Sequence, residues 1–192
     1  MNFFKKIFGS SESASDEEHE SEYGGNPVQN SHLSLDEQFI FNFKKNGGKF
    51  LYCENNQELA EQFENILEEN DWFESEVLCY EPALFNLLDE NKLFYTAPTK
   101  PKFLLAVCEN LIADEGSILF SSKQIRQNKP NELPANIVII ATTSQILPMK
   151  SDGLTAIKRK YDRDIPTNIT TIKYFEKAQE EDFTQYGSVA KN

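Results

Sequence analysis

The 192-residue chain has only two histidines, His19 and His32, and both precede residue 33. The rest of it therefore offers no Ser-His-Asp or Cys-His nucleophilic system and no histidine-built metal site. Its three cysteines, Cys53, Cys79 and Cys108, stand far apart with no Cys-x-x-Cys pair. That spacing gives no zinc or iron–sulfur signature and reads as buried, reduced thiols. No apolar run approaches the roughly 20 residues of a membrane-spanning helix. Residues 1–8 are too short for a signal peptide and lack an apolar stretch with a cleavage site behind them. A cytoplasmic chain with no membrane span is expected. Lys and Arg are missing between Lys49 and Lys92, where acids run from Glu54 to Glu90, and the formal net charge is −12. Nucleic acid is a poor partner for such a chain, because phosphate contacts need clustered cations. The balance turns mildly positive only between Lys92 and Arg163, so an anionic ligand would prefer that part.

What is present is enough for one domain and a tail: 39% hydrophobic residues, with 15 Phe and 7 Tyr. Residues 9–33 are rich in Ser, Glu and Gly and too poor in apolar surface to offset ordering entropy, so 1–33 reads as a disordered acidic tail. Its start, Phe3, Phe4, Ile7 and Phe8 with Lys5 and Lys6, would suit one amphipathic turn for a groove or surface, or a frayed end folded back on the body. From residue 34, helix and strand signals alternate. Ser34 with Glu37, and Asn55 with Glu58, open two helices, and Pro82 opens a third. Strands are expected at 49–53, 76–80, 93–95, 103–107, 117–121, 137–141 and 169–174, with a helix from Asp152 carrying Leu154, Ile157 and Tyr161 on one side. Alternation at these lengths implies an α/β domain over 34–192, three layers around an open, mainly parallel sheet.

Chemistry concentrates around Glu115-Gly116-Ser117, where Gly116 suits a positive-φ turn ahead of a buried strand. Backbone N–H groups of Gly116 and Ser117 would suit an anion, and the plainer reading is an ordinary turn. Asp114 and Glu115 would serve as proton acceptor or cation ligand, or simply as a solvated pair. Arg126, in the polar stretch 122–134, presents a planar fork for carboxylate or phosphate, or is a solvated loop charge. The hydroxyls of Thr142-Thr143-Ser144 would cap a helix or meet a ligand oxygen. The run Lys158-Arg159-Lys160 with Arg163 reads as a solvated face. The expected site is a small carboxylate or phosphate held between the Gly116-Ser117 backbone and Arg126.

The ordered series Glu115-Gly116-Ser117, Arg126, Leu133-Pro134 and the strand at 137–141 resembles the LUD domain family, in its lactate utilization protein C form, most clearly over 93–175. Members carry an acidic, Gly-containing turn before a strand, then an Arg, a Leu-Pro and a hydrophobic strand. They close on a Gly-Pro-Ser-x-Thr-x-Asp-Ile segment, where this chain has Ile172-Lys173-Tyr174-Phe175 running into Glu176-Lys177-Ala178-Gln179. The resemblance implies a NagB/RpiA/coenzyme-A-transferase-like fold and ligand-binding roles for Glu115, Gly116, Ser117 and Arg126. It implies no metal or cofactor on this chain, and iron–sulfur subunits as partners in oxidising L-lactate to pyruvate. The alternatives are an interaction or regulatory module on the same fold, and an acyl-coenzyme A transferase or ligase acting through Glu115 or Glu109.

Overall fold

A computed structural model describes residues 33–175. The expected tail with its Phe-rich start, and residues 176–192, lie outside the described residues. The capping signals act where the sequence put them. The Glu37 carboxylate accepts from both Ser34 N and Ser34 Oγ at 2.8 Å, opening α1 (Leu35–Lys45). Asn55 Oδ1 accepts from Glu58 N at 2.9 Å, opening α2 (Asn56–Asn70). Pro82 starts a 3-10 turn (Pro82–Leu84) that leads into α3 (Phe85–Glu90). A four-residue α4 (Ser122–Ile125) and the longer α5 (Lys150–Tyr161) complete the α-helices among the described residues. None of the described helices is long and apolar enough to cross a membrane.

The strands form two sheets. In the first, β1 (Val77–Leu78), β2 (Phe103–Ala106) and β5 (Asn136–Ile139) pair in parallel, with Leu104 opposite both Leu78 and Ile137. The second runs β6-β3-β4-β7, from β3 (Asn110–Ile112), β4 (Ser117–Phe120), β6 (Ile146–Leu147) and β7 (Thr170–Ile172). There β3–β6 is parallel, while β3–β4 and β4–β7 are antiparallel. The fold is α/β, with parallel pairings the more numerous.

Alternation along β2 sorts the core. Phe103 and Leu105 face Phe63 and Leu67 of α2 and Leu88 of α3; Leu104 and Ala106 face Phe39 of α1 and Ile118 and Phe120 of β4. The second sheet and α1 therefore cover one face of the parallel sheet, and α2 with α3 cover the other. On the far side of the second sheet, Ile112 and Leu119 pack on Ile157 of α5. Such two-sided burial explains why β2 reads as a continuous apolar run.

Several expected strands are shorter or absent. Residues 49–53 form no strand, and Leu51 and Tyr52 are exposed there. The segment at 93–95 contributes a single parallel bridge, Glu76 to Phe94. β3 and β6 were not anticipated, because two or three residues are too few to show a period. β5, expected to be buried, is an edge strand and only half-buried along 137–140.

Candidate functional site

The Gly116 turn joins β3 to β4 and is roofed by α1. Asn42 Nδ2 donates to the Ala113 and Asp114 carbonyls (2.8 and 3.2 Å), and Asn46 Nδ2 to those of Glu115 and Gly116 (2.7 and 3.1 Å). Gly116 has φ +60°, and an added Cβ would overlap the backbone of Asn42 and Phe43. Glycine is thus required here both by conformation and by close approach. The turn gives its carbonyls to the helix. Ser117 is fully buried, and its hydroxyl donates to the Glu115 carboxylate at 3.1 Å.

Arg126 lies beyond the other end of β4, on the order of 10 Å further along the strand direction. The structure does not bring it to the Gly116 turn. It closes α4 with φ +54° and ψ −131°, a rare conformation for a residue with a Cβ. Its N donates to Ser122 O (3.1 Å), and its carbonyl accepts from Asn168 Nδ2 (2.8 Å), which also bonds Asn128 O at 2.9 Å. The guanidinium stands 5.4 Å from the centre of the Tyr80 ring, just past the carboxyl end of β1, and Tyr80 OH accepts from Asn128 Nδ2 at 3.1 Å.

The densest polar constellation centres on Glu109, in the crossover from β2 to β3. Its side chain is 1% exposed. Oε1 accepts from Ser121 Oγ (2.6 Å), Gln124 Nε2 (3.0 Å) and Tyr161 OH (2.9 Å), and Oε2 accepts from Lys160 Nζ (2.9 Å). Burial alone would raise the Glu109 pKa, but these four donors together hold it below the usual carboxylate range. Burial likewise works against the Lys160 charge, yet its bonds to Glu109 and Tyr161 raise its pKa. Burial pushes the neighbouring Cys108 thiol up to about 12, with the Glu109 charge adding to it, so Cys108 stays protonated at neutral pH. Lys123 completes the surround, 5.7 Å from the Tyr161 ring centre and 3.2 Å from Asp164 Oδ2.

Sequence reasoning weighed Glu109 only as a nucleophile and assigned Lys160 to a solvated face; the structure corrects the latter, since Lys160 turns to the buried carboxylate. A signal was available. Glu109 is the lone charge in the apolar run 103–113, and a charge so placed is buried only with partners. Thr142 takes the N-cap position of a 3-10 turn (Thr143–Gln145), but its hydroxyl bonds Ser144 Oγ (2.8 Å) and Gln145 Oε1 (3.2 Å). Gln145 Oε1 also accepts from Thr142 N at 2.9 Å, while its Nε2 donates to Cys108 O at 2.7 Å. Among the described residues no three metal-binding side chains gather. A hollow lined by Asp89, Lys92, Leu93, Phe94, Tyr95 and Thr96 lies beside the amino end of β1, away from this cluster.

The Glu109 tie has a pH signature. Its folded-state pKa is depressed, so its contribution is present above the ordinary carboxylate range and lost as pH falls through the folded value. The melting-temperature gap between wild type and Glu109→Gln is expected to be widest near neutral pH and to close in acid. A gap independent of pH would show that the carboxylate charge contributes nothing.

Fold and site together define an α/β protein with basic side chains near the carboxyl ends of its parallel strands. One solved structure is similar: a DUF162 family protein from Deinococcus radiodurans, 18% identical, with a TM-score of 0.56 over 73% of this chain and 88% of that one. At this identity the likeness shows the fold. No family model and no curated protein matches the sequence.

Proposed function

We propose that this chain is a LUD-like, non-redox subunit of the lactate utilization protein C kind, with a NagB/RpiA/coenzyme-A-transferase-like fold. It supports oxidation of L-lactate to pyruvate by iron–sulfur partners and binds a small carboxylate or phosphate. The fold shared with a DUF162 protein supports the family reading, alongside the ordered series of residues from Glu115 to Ala141.

One observation carries the anion site. Arg126 keeps a positive φ held by hydrogen bonds on both its N–H and its carbonyl, at the carboxyl end of β1. Strain of this kind costs about 1–3 kcal/mol and persists only where the surrounding contacts over-determine it, as the bonds to Ser122 and Asn168 do here. Ligands of open α/β sheets bind outside the carboxyl ends of the strands. In this reading Arg126 receives the anion, while Glu115, Gly116 and Ser117 shape the hairpin from which β4 delivers α4. Lys123 and Lys160 nearby are already paired with Asp164 and Glu109. The transferase alternative asks for a free carboxylate at Glu115 or Glu109. Both Glu109 oxygens already accept hydrogen bonds, while Glu115 accepts one from Ser117 Oγ and remains the candidate for that reading.

Calorimetry with lactate, pyruvate, phosphate and coenzyme A tests the site. Arg126→Ala should weaken binding about tenfold to hundredfold, the loss of one charge-assisted pair. Arg126→Gly should lose the same affinity while raising stability by about 1 kcal/mol, because glycine relieves the strained backbone. If wild type binds none of these ligands, or Arg126→Gly is both destabilised and fully competent, the site assignment fails. Recovery of iron–sulfur proteins with the full chain from its native cell tests the partner reading.

A further inference from the structure

We propose that the outer edge of β5 is the self-pairing surface of a twofold dimer, joining two parallel sheets into one of six strands. Ile140 N donates to Ala106 O at 3.0 Å. In a parallel ladder alternate residues turn to opposite neighbours. Ile137, Ile139 and Ala141 therefore direct their N–H and C=O groups away from β2. Among the described residues no strand pairs with that side.

The other edges are managed. The outer side of β1 is closed by Val77 N to Phe94 O and Phe94 N to Ser75 O, both 2.9 Å. β6 is only two residues long, and β7 runs into Lys173. Short strands and edge lysines discourage pairing. β5 carries neither safeguard. Its residues 137–140 are apolar on both faces yet half-buried, which is the pattern of an interior strand placed at an edge.

Charge and register favour a second copy as the occupant. No charged residue occurs between Glu132 and Lys150. A twofold axis through Ile139 sets Ile139 against its twin and Ile137 against Ala141, all with outward-facing backbone groups, so each pair exchanges both hydrogen bonds. The intervening pairs set Val138 against Ile140. A symmetric interface places like against like, so a single charge in this segment would meet a like charge near it. Here every cross-strand pair is apolar, and the acidic remainder of the chain stays out of the ladder.

Sedimentation of the full chain over a wide dilution series is the test. Wild type should show a concentration-dependent dimer. Ala141→Pro removes an outward N–H at an exposed position, once in each subunit, and should weaken association about tenfold to hundredfold. Its circular dichroism and melting serve as the folding control. Ile139→Cys provides a second arm: the axis puts the two substituted positions about 5.5 Å apart at Cα, within reach of a disulfide. Mild oxidation should then cross-link this variant well beyond the wild-type background of native cysteines. A wild type that stays monomeric overturns the proposal, as does a dimer that neither substitution affects. A monomer that instead captures an added Ile-Val-Ile-Ile peptide would assign the edge to another protein's strand and overturn self-pairing.

Discussion

Glu109→Ala should be among the most damaging single substitutions in the described body, costing about 3–5 kcal/mol in urea unfolding. The carboxylate is 1% exposed and collects donors from α4, its cap and α5. Removing it takes the Glu109 acceptor from the buried Ser121 hydroxyl and Gln124 amide and from the half-buried Tyr161 hydroxyl, and a buried orphan costs about 1–3 kcal/mol. Lys160→Ala should cost clearly less, because the Lys160 side chain is 58% exposed and Glu109 keeps three other donors. The double variant should then fall short of the sum of the two, since the residues share one interaction. A Glu109→Ala protein within about 1 kcal/mol of wild type would mean that Ser121, Gln124, Tyr161 and Lys160 are satisfied without it.

Gly116→Val should be of similar size, about 2–5 kcal/mol. A left-handed backbone costs an L-residue about 1–2 kcal/mol, and overpacking adds about 1–3 kcal/mol. The overlap is with the backbone of α1 at Asn42 and Phe43, which cannot rotate away as a side chain would. The damage should spread, because Asn42 and Asn46 tie that helix to four carbonyls of the same turn. Hydrogen exchange should report loss of protection in α1 and in the β3–β4 hairpin together. Unchanged protection in α1 would sever the link between helix and turn.

Much of the local structure was legible in particular residues. Ser34 with Glu37 and Asn55 with Glu58 are capping pairs that need only their own neighbours, and they open α1 and α2 as expected. Pro82 cannot donate and so starts its turn, and Gly116 takes the positive φ expected of it. The apolar run 103–107, read as a buried strand, became β2 at the centre of the parallel sheet.

Other features were decided by distant partners. Residues 49–53 have the composition of a strand but found no ladder to join, so β propensity went unused. β3 and β6 are the reverse: too short to show a period, they exist because they pair with each other and, in β3's case, with β4. The apolar strand at 137–141 reads as central from its side chains, yet the strand order leaves it at an edge.

The candidate site divides along the same line. The sequence by itself determined which chemistry was on hand: no histidine beyond residue 32, one isolated glutamate in an apolar run, and an Arg in a polar loop following a Gly turn. Capping, φ preference and apolar periodicity act over a few residues, so they leave readable traces. Only the tertiary structure decided that Arg126 stands over Tyr80 rather than at Gly116, and that Lys160, 51 residues from Glu109, turns inward to meet it. The reason is physical: burying one carboxylate requires donors, and the packing of α4 and α5 against the second sheet selects which donors reach it.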